Sequence, residues 1–287
     1  MDGRDLPGSN APEAYLGLGQ NARVSPAQAR SSGVRSATTD ADLGYSWPLE
    51  VWNNPISDAE LIEARALVGA GGSDLMTGAA FSDTAVKGRT DLDRFRILHF
   101  ATHGLVTPPG SGCPVRPALL TSFGPAGQSD GLLTFAEIFE LKLDADMVIL
   151  SACDTAGEAD VQSTREAGLA TGGGTSLDGL VRAFIGAGGR AVLASHWPAP
   201  DDFNATARLI TGLFSAGAGV SIGEALLSAE LKLMADPLTS HPYYWAGFAV
   251  VGDATRPLVR TTAAQASATT SVSATTSGAA AVAAGSR

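Results

Sequence analysis

The chain predicts an α/β fold built on a mainly parallel sheet, and three observations carry that expectation. Two apolar runs, Arg96-Ile97-Leu98-His99-Phe100-Ala101 and Met147-Val148-Ile149-Leu150-Ser151-Ala152, have the length and composition of strands buried on both faces. Between them Thr134-Phe135-Ala136-Glu137-Ile138-Phe139-Glu140-Leu141 reads as a helix crossing from one parallel strand to the next. With 287 residues and 45% hydrophobic content, the chain can bury one substantial core.

Residues 1–44 carry scattered Gly, Pro, Ser and Ala with one short apolar patch, Tyr15-Leu16-Gly17-Leu18-Gly19, which has the look of a strand remnant. They are expected to be a poorly ordered N-terminal segment or a truncated edge of a domain spanning 45–260, with a linker composition over 25–42. Ser57-Asp58-Ala59-Glu60 has capping-box spacing, and Leu61, Ile62, Ala64, Ala66 and Leu67 follow before the glycines at 69–72, which marks a helix. The first buried strand, a Pro/Gly-rich loop over 107–131 with an Asp130-Gly131 turn, the crossover helix and the second buried strand come next. A loop over 158–175 ends in three glycines. A helix over 176–187 leads through a glycine C-cap at 186–189 into a strand over 190–195. Helices are expected over 202–216 and 221–235, the second opened by Ser221 and Glu224 at capping-box spacing, and a last strand over 245–251. Residues 261–287, almost all Ala, Ser, Thr and Gly, read as a disordered tail.

The net charge of −10 argues against general affinity for nucleic acid or an anionic membrane, which reward clustered Lys and Arg. Cys113 and Cys153 form neither a disulfide framework nor a CxxC spacing, as suits a reducing compartment. The N-terminus lacks the apolar core of a signal peptide, and no apolar run approaches the ~18 residues of a membrane helix. A cytoplasmic location follows as an expectation.

His103 and Cys153 each stand just past one of the two buried strands. In open α/β sheets the carboxyl ends of strands carry the chemistry, and neighbouring strands lie ~4.8 Å apart, so the two side chains can meet. A thiol with a pKa of about 8.5 becomes a nucleophile when an imidazole takes its proton. Gly104, without a Cβ, lets its N–H approach a substrate and, with the N–H of Cys153, hold an oxyanion. On spacing alone Cys153 can equally be a packing residue. His99 shares strand parity with Ile97 and Ala101 and reads as a core histidine; His196 and His241 read as loop or packing residues. Asp202 reads as a helix N-cap.

The strings Leu98-His99-Phe100-Ala101-Thr102-His103-Gly104 and Val148-Ile149-Leu150-Ser151-Ala152-Cys153-Asp154-Thr155 resemble the two signature motifs of CHAT domains. Leu177-Asp178-Gly179-Leu180-Val181-Arg182-Ala183-Phe184, Gly189-Arg190-Ala191-Val192-Leu193-Ala194-Ser195-His196-Trp197-Pro198 and Tyr244-Trp245-Ala246-Gly247-Phe248-Ala249-Val250-Val251-Gly252-Asp253 are similar to that family's later elements, in the same order. The resemblance implies a caspase-like three-layer fold, with a mainly parallel central sheet flanked by helices, and a caspase/separase-like cysteine endopeptidase. His103 is then the acid/base, Cys153 the nucleophile, and Gly104 and Cys153 the oxyanion N–H donors. Asp201, four residues after Trp197, is similar in placement to the acid that binds a basic P1 side chain in separase-like relatives, and Asp154 stands near the same pocket. No cofactor and no metal are implied. The expected partners are a protein or peptide substrate and an activating protein, with no nucleic acid and no membrane. The rival expectation is a catalytically silent protein-interaction module of the same fold. Departures from the family pattern are His196 before the Trp-Pro pair, a longer segment over 158–176, and the lack of a helical-repeat region ahead of the domain.

Overall fold

The computed structural model describes residues 7–24, 51–105, 117–124, 129–151, 174–197 and 202–260. Its strands are β1 (Glu13–Asn21), β2 (Ser73–Gly78), β3 (Phe95–Ala101), β4 (Gly104–Leu105), β5 (Ala118–Leu120), β6 (Leu132–Thr134), β7 (Met147–Ser151), β8 (Ala191–Ser195) and β9 (Phe248–Gly252). Six of them form the central sheet in the order β2-β1-β3-β7-β8-β9, parallel throughout except for β9, which runs antiparallel to β8. The α/β, mainly parallel expectation is the observed architecture.

Strand alternation builds the three layers. Tyr15, Ile97, Ile149 and Leu193 point to one face, where α1 (Ala59–Val68), α5 (Ala205–Phe214) and α6 (Ile222–Ala235) bury Ala64, Leu209 and Ala225. Leu16, Leu98, Val148 and Val192 point to the other, against α2 (Asp83–Gly88), α3 (Phe135–Phe139) and α4 (Gly174–Gly186), from which Val86, Ile138 and Phe184 enter the core. Every residue of β3 and β7 is buried, as their unbroken apolar runs require.

Residues ahead of position 45 contribute a strand to the central sheet. The Tyr15–Gly19 patch is the middle of a nine-residue strand lying between β2 and β3, so it is an interior strand and not a remnant. Its glycines hide it from a search for β-branched runs. Gly17 serves packing: a Cβ there would lie 3.1 Å from the Tyr15 hydroxyl and 2.6 Å from Leu75, closing the path by which Tyr15 crosses to β3.

The segment expected as a single loop over 107–131 contains β5, and β4, β5 and β6 form a small antiparallel sheet of their own. The crossover helix is five residues long, opened by a Thr134–Glu137 capping box. Ser221 and Glu224 form the box predicted for α6, whereas Ser57 and Glu60 do not: Asp58 is the N-cap of α1 and makes no side-chain capping bond. Gly188, at φ 113°, makes the predicted turn out of α4, with its N–H on the Ile185 carbonyl. Asn204, not Asp202, stands at the N-cap of α5, after a 3₁₀ turn over Asp202–Asn204. The last strand starts at Phe248 because Pro242–Tyr244 forms a 3₁₀ turn before it.

Candidate active site

β3 and β7 are paired in parallel, with Ala101 beside Ser151 at their carboxyl ends. His103 and Cys153 therefore follow paired residues at the same offset of two positions. β8 lies next to β7, and the Ile149–Leu193 pairing brings Ser195 level with Ser151. Three strand ends thus share one edge of the sheet. Of the expected site residues, His103 and Gly104 are placed by the structure; Cys153, Asp154 and Asp201 lie outside the described residues, as does Cys113.

The turn that carries His103 is fastened on both sides. Thr102 Oγ1 donates to the Leu120 carbonyl at 2.6 Å, and the Leu120 N–H donates to the His103 carbonyl at 2.8 Å. The chain leaving β3 is thereby turned into β4 and tied to β5. The His103 ring is buried, with Nε2 2.6 Å from the Asn54 carbonyl. A carbonyl can only accept, so Nε2 carries the proton and Nδ1 is the nitrogen able to take one up.

The two residues before Asn54 are held in place. Asn21 Nδ2 donates to the Trp52 carbonyl (2.8 Å), the Val24 N–H donates to Asn53 Oδ1 (2.9 Å), and Trp52 Nε1 donates to the Thr121 carbonyl (3.2 Å). Pro55 further restricts Asn54 to extended conformations. This tautomer-setting carbonyl is the contribution that sequence reasoning missed. Being a backbone group, it leaves no signal beyond the proline that follows it.

Gly104 faces Leu119 across the β4–β5 ladder. The bond from the Leu120 N–H to the His103 carbonyl makes this a non-hydrogen-bonded pair, so the Gly104 N–H is directed away from β5. Among the described residues β4 is an outer strand of its sheet, with no strand paired on that side of the ladder. The N–H is thus not used by the β4–β5 ladder.

His99 is a core histidine, as its strand parity predicted, and it is fully buried. Its Nε2 lies 2.8 Å from Glu60 Oε1 and its Nδ1 2.9 Å from the Tyr15 hydroxyl. With the Nε2–H donating to the carboxylate, Nδ1 accepts the Tyr15 proton, and both nitrogens are satisfied. Burial, and after it the Glu60 charge, hold the Tyr15 phenol above its ordinary pKa. His196 and His241 are both exposed, and His241 Nδ1 accepts the Tyr243 N–H. Next to β8, Trp197 is fixed through Nε1 to the Tyr243 carbonyl at 3.1 Å, and its own carbonyl accepts Ser195 Oγ at 2.5 Å. Among the described residues no cluster of His, Cys, Asp and Glu could hold a metal ion, and no helix is long and apolar enough to cross a membrane.

A six-stranded, mainly parallel sheet with helices on both faces and a buried, tautomer-fixed histidine at a strand end defines a caspase-like α/β domain. The CHAT domain family matches residues 9–253, taking in β1, and the chain belongs to that family. A 129-residue stretch, 42% of this chain, is 33% identical to tetratricopeptide repeat protein 28 of Mus musculus, and a 122-residue stretch is 31% identical to the Homo sapiens protein of the same name. Each match spans 4% of the relative's length.

Proposed function

We propose that this chain is a cysteine endopeptidase in which Cys153 attacks the scissile carbonyl and His103 carries the proton. The observation that supports it best is the shared offset of the two residues beyond the paired strand ends Ala101 and Ser151. His103 Nδ1 takes the thiol proton, and the thiolate sulfur bonds to the carbonyl carbon. The oxyanion so formed accepts from the Gly104 and Cys153 N–H groups. Nδ1–H then protonates the leaving amine as the C–N bond breaks, giving a thioester. Water, losing a proton to Nδ1, adds to the thioester and releases the acid, and the proton returns to sulfur. The Asn54 carbonyl keeps Nδ1, not Nε2, as the working nitrogen at each step and favours the imidazolium when it forms.

His103 is only 2% exposed, which fits a pocket opened by substrate or by an activating protein. Substrate choice is assigned to Asp201, whose carboxylate would hold a basic P1 side chain, with Asp154 beside the pocket. The setting proposed is cytoplasmic, and no cofactor takes part. A catalytically silent interaction module is the second reading. It is favoured by the closed histidine and by relatives whose name describes repeats and not a peptidase.

The deciding experiment is labelling with a peptidyl thiol electrophile and mapping of the adduct. Fast modification of Cys153 that is lost in His103→Ala supports the peptidase. Equal, slow labelling of Cys113 and Cys153, independent of His103, supports the silent module.

A further inference from the structure

α6 is apolar on two opposite sides. Ile222, Ala225, Leu226, Ala229 and Leu233 are buried toward the sheet and α5. Leu227, Leu231 and Met234 stand on the outer side, 54%, 51% and 41% exposed, with Leu238 just past the helix end. Leucines grouped on an exposed helix face mark a surface that gains by being covered. The face has relief as well. Two ridges at i, i+4 spacing, Glu224-Ser228-Lys232 and Leu227-Leu231-Ala235, bound a shallow groove of about 400 Å³. Ridges and a groove of this kind are the surface by which one helix receives another.

We propose that this groove receives the same helix of a second copy of the chain, antiparallel about a two-fold axis passing near Ser228. The charges select that occupant. Glu224 and Lys232 stand four residues to either side of Ser228, so the two-fold sets Glu224 of each copy beside Lys232 of the other. An acidic or basic partner helix would meet one of these charges with its like, and an uncharged one would leave both without a counter-charge. The small Ser228 lets the axes approach, and the leucine ridge of each copy enters the groove of the other. Glu224 Oε2 already accepts the Ser221 N–H and Oγ–H, and its second oxygen can take the lysine. Oppositely placed charges at the rim fix register and partner choice, while the leucines supply the affinity. One helix pair makes a small contact, so the dimer is a weak one.

The test is analytical ultracentrifugation of the full chain over a dilution series into the high-micromolar range. A concentration-dependent dimer is expected, converted to monomer by Leu231→Asp with helicity unchanged by circular dichroism. Glu224→Lys and Lys232→Glu should each weaken self-association on the order of tenfold. Mixing these two variants should restore the dimer as a heterodimer, because every pair is again of opposite sign. A wild type that stays monomeric, a dimer indifferent to Leu231→Asp, or a mixture that fails to recover would overturn the proposal.

Discussion

His99 and His103 lie four residues apart in one strand motif, one in the body of β3 and one past its end, and they are set up in opposite ways. In the strand body both ring nitrogens of His99 are engaged by side chains from two other elements, Tyr15 of β1 and Glu60 of α1. At the strand end the Nε2 of His103 meets a backbone carbonyl that fixes its tautomer. The first arrangement ties β1, β3 and α1 together. The second ties the histidine to the backbone of a distant segment, at the edge of the sheet where β3, β7 and β8 finish. The difference teaches that the polar group in the strand interior serves assembly through side chains, while the one at the strand end is oriented by the backbone.

The largest expected effect separates the two positions directly. Under the peptidase reading, His103→Ala and Cys153→Ala each lower cleavage of a peptide substrate by on the order of 10³-fold or more, with the thermal midpoint nearly unchanged. The double variant should be no worse than either single one, because the pair acts as a unit. Wild-type turnover in a folded Cys153→Ala protein would remove the nucleophile assignment.

A second measurement extends the comparison to the end of β8. If the Asp201 carboxylate lines the pocket for a basic P1 side chain, Asp201→Ala loses about 2–5 kcal/mol of selectivity for Arg or Lys, the cost of leaving one member of a buried charge pair alone. The readout is kcat/KM across a peptide library varied at P1. A wild-type profile without basic preference would detach Asp201 from the site.

The strand body should answer with stability instead. Tyr15→Phe leaves His99 Nδ1 buried without its donor, at about 1–3 kcal/mol. It should also flatten the alkaline side of the stability curve. Because burial and the Glu60 charge raise the folded-state Tyr15 pKa, its share of stability is full below the unfolded value of about 10 and is lost as pH rises above it. Urea midpoints measured from about pH 8 to pH 11 should therefore fall more steeply for the wild type than for Tyr15→Phe. Equal slopes would show that the phenol ionises as freely in the folded chain as in the unfolded one.

What could be read from the sequence followed pattern length. β3, β7 and β8 are mostly apolar runs, and the sequence showed them with their order. β4, β5 and β6 have two or three residues each, too few for any periodicity to register, so β5 passed for loop and the small sheet was not foreseen. β2 has no fully buried position and lacks an apolar run. β1 alternates with glycine because Tyr15 must cross Gly17, a tertiary requirement that mimics a breaker. His103 was legible because its place beyond a strand is a local fact. Its Asn54 partner was not, because 49 residues separate them.

The smallest effect tests how a tertiary contact overrides a local signal. Ser57-x-x-Glu60 and Ser221-x-x-Glu224 carry the same capping signature, yet only the second forms. Glu60 is the exception because its carboxylate turns inward to His99, while Ser57 Oγ is left with one bond, from the Ala59 N–H at 3.2 Å. Glu224, fully exposed, has no such buried partner and closes its box, and the hydrogen bonds from Ser221 hold its pKa below the ordinary value. Ser221→Ala should therefore cost about 1 kcal/mol in urea denaturation, and Ser57→Ala only a few tenths. In His99→Leu the Glu60 carboxylate loses its partner and can swing back to the N-terminus of α1. The cost of Ser57→Ala measured in that background should then rise toward that of Ser221→Ala. If the Ser57 cost is the same in both backgrounds, the contact with His99 is not what keeps this box from forming.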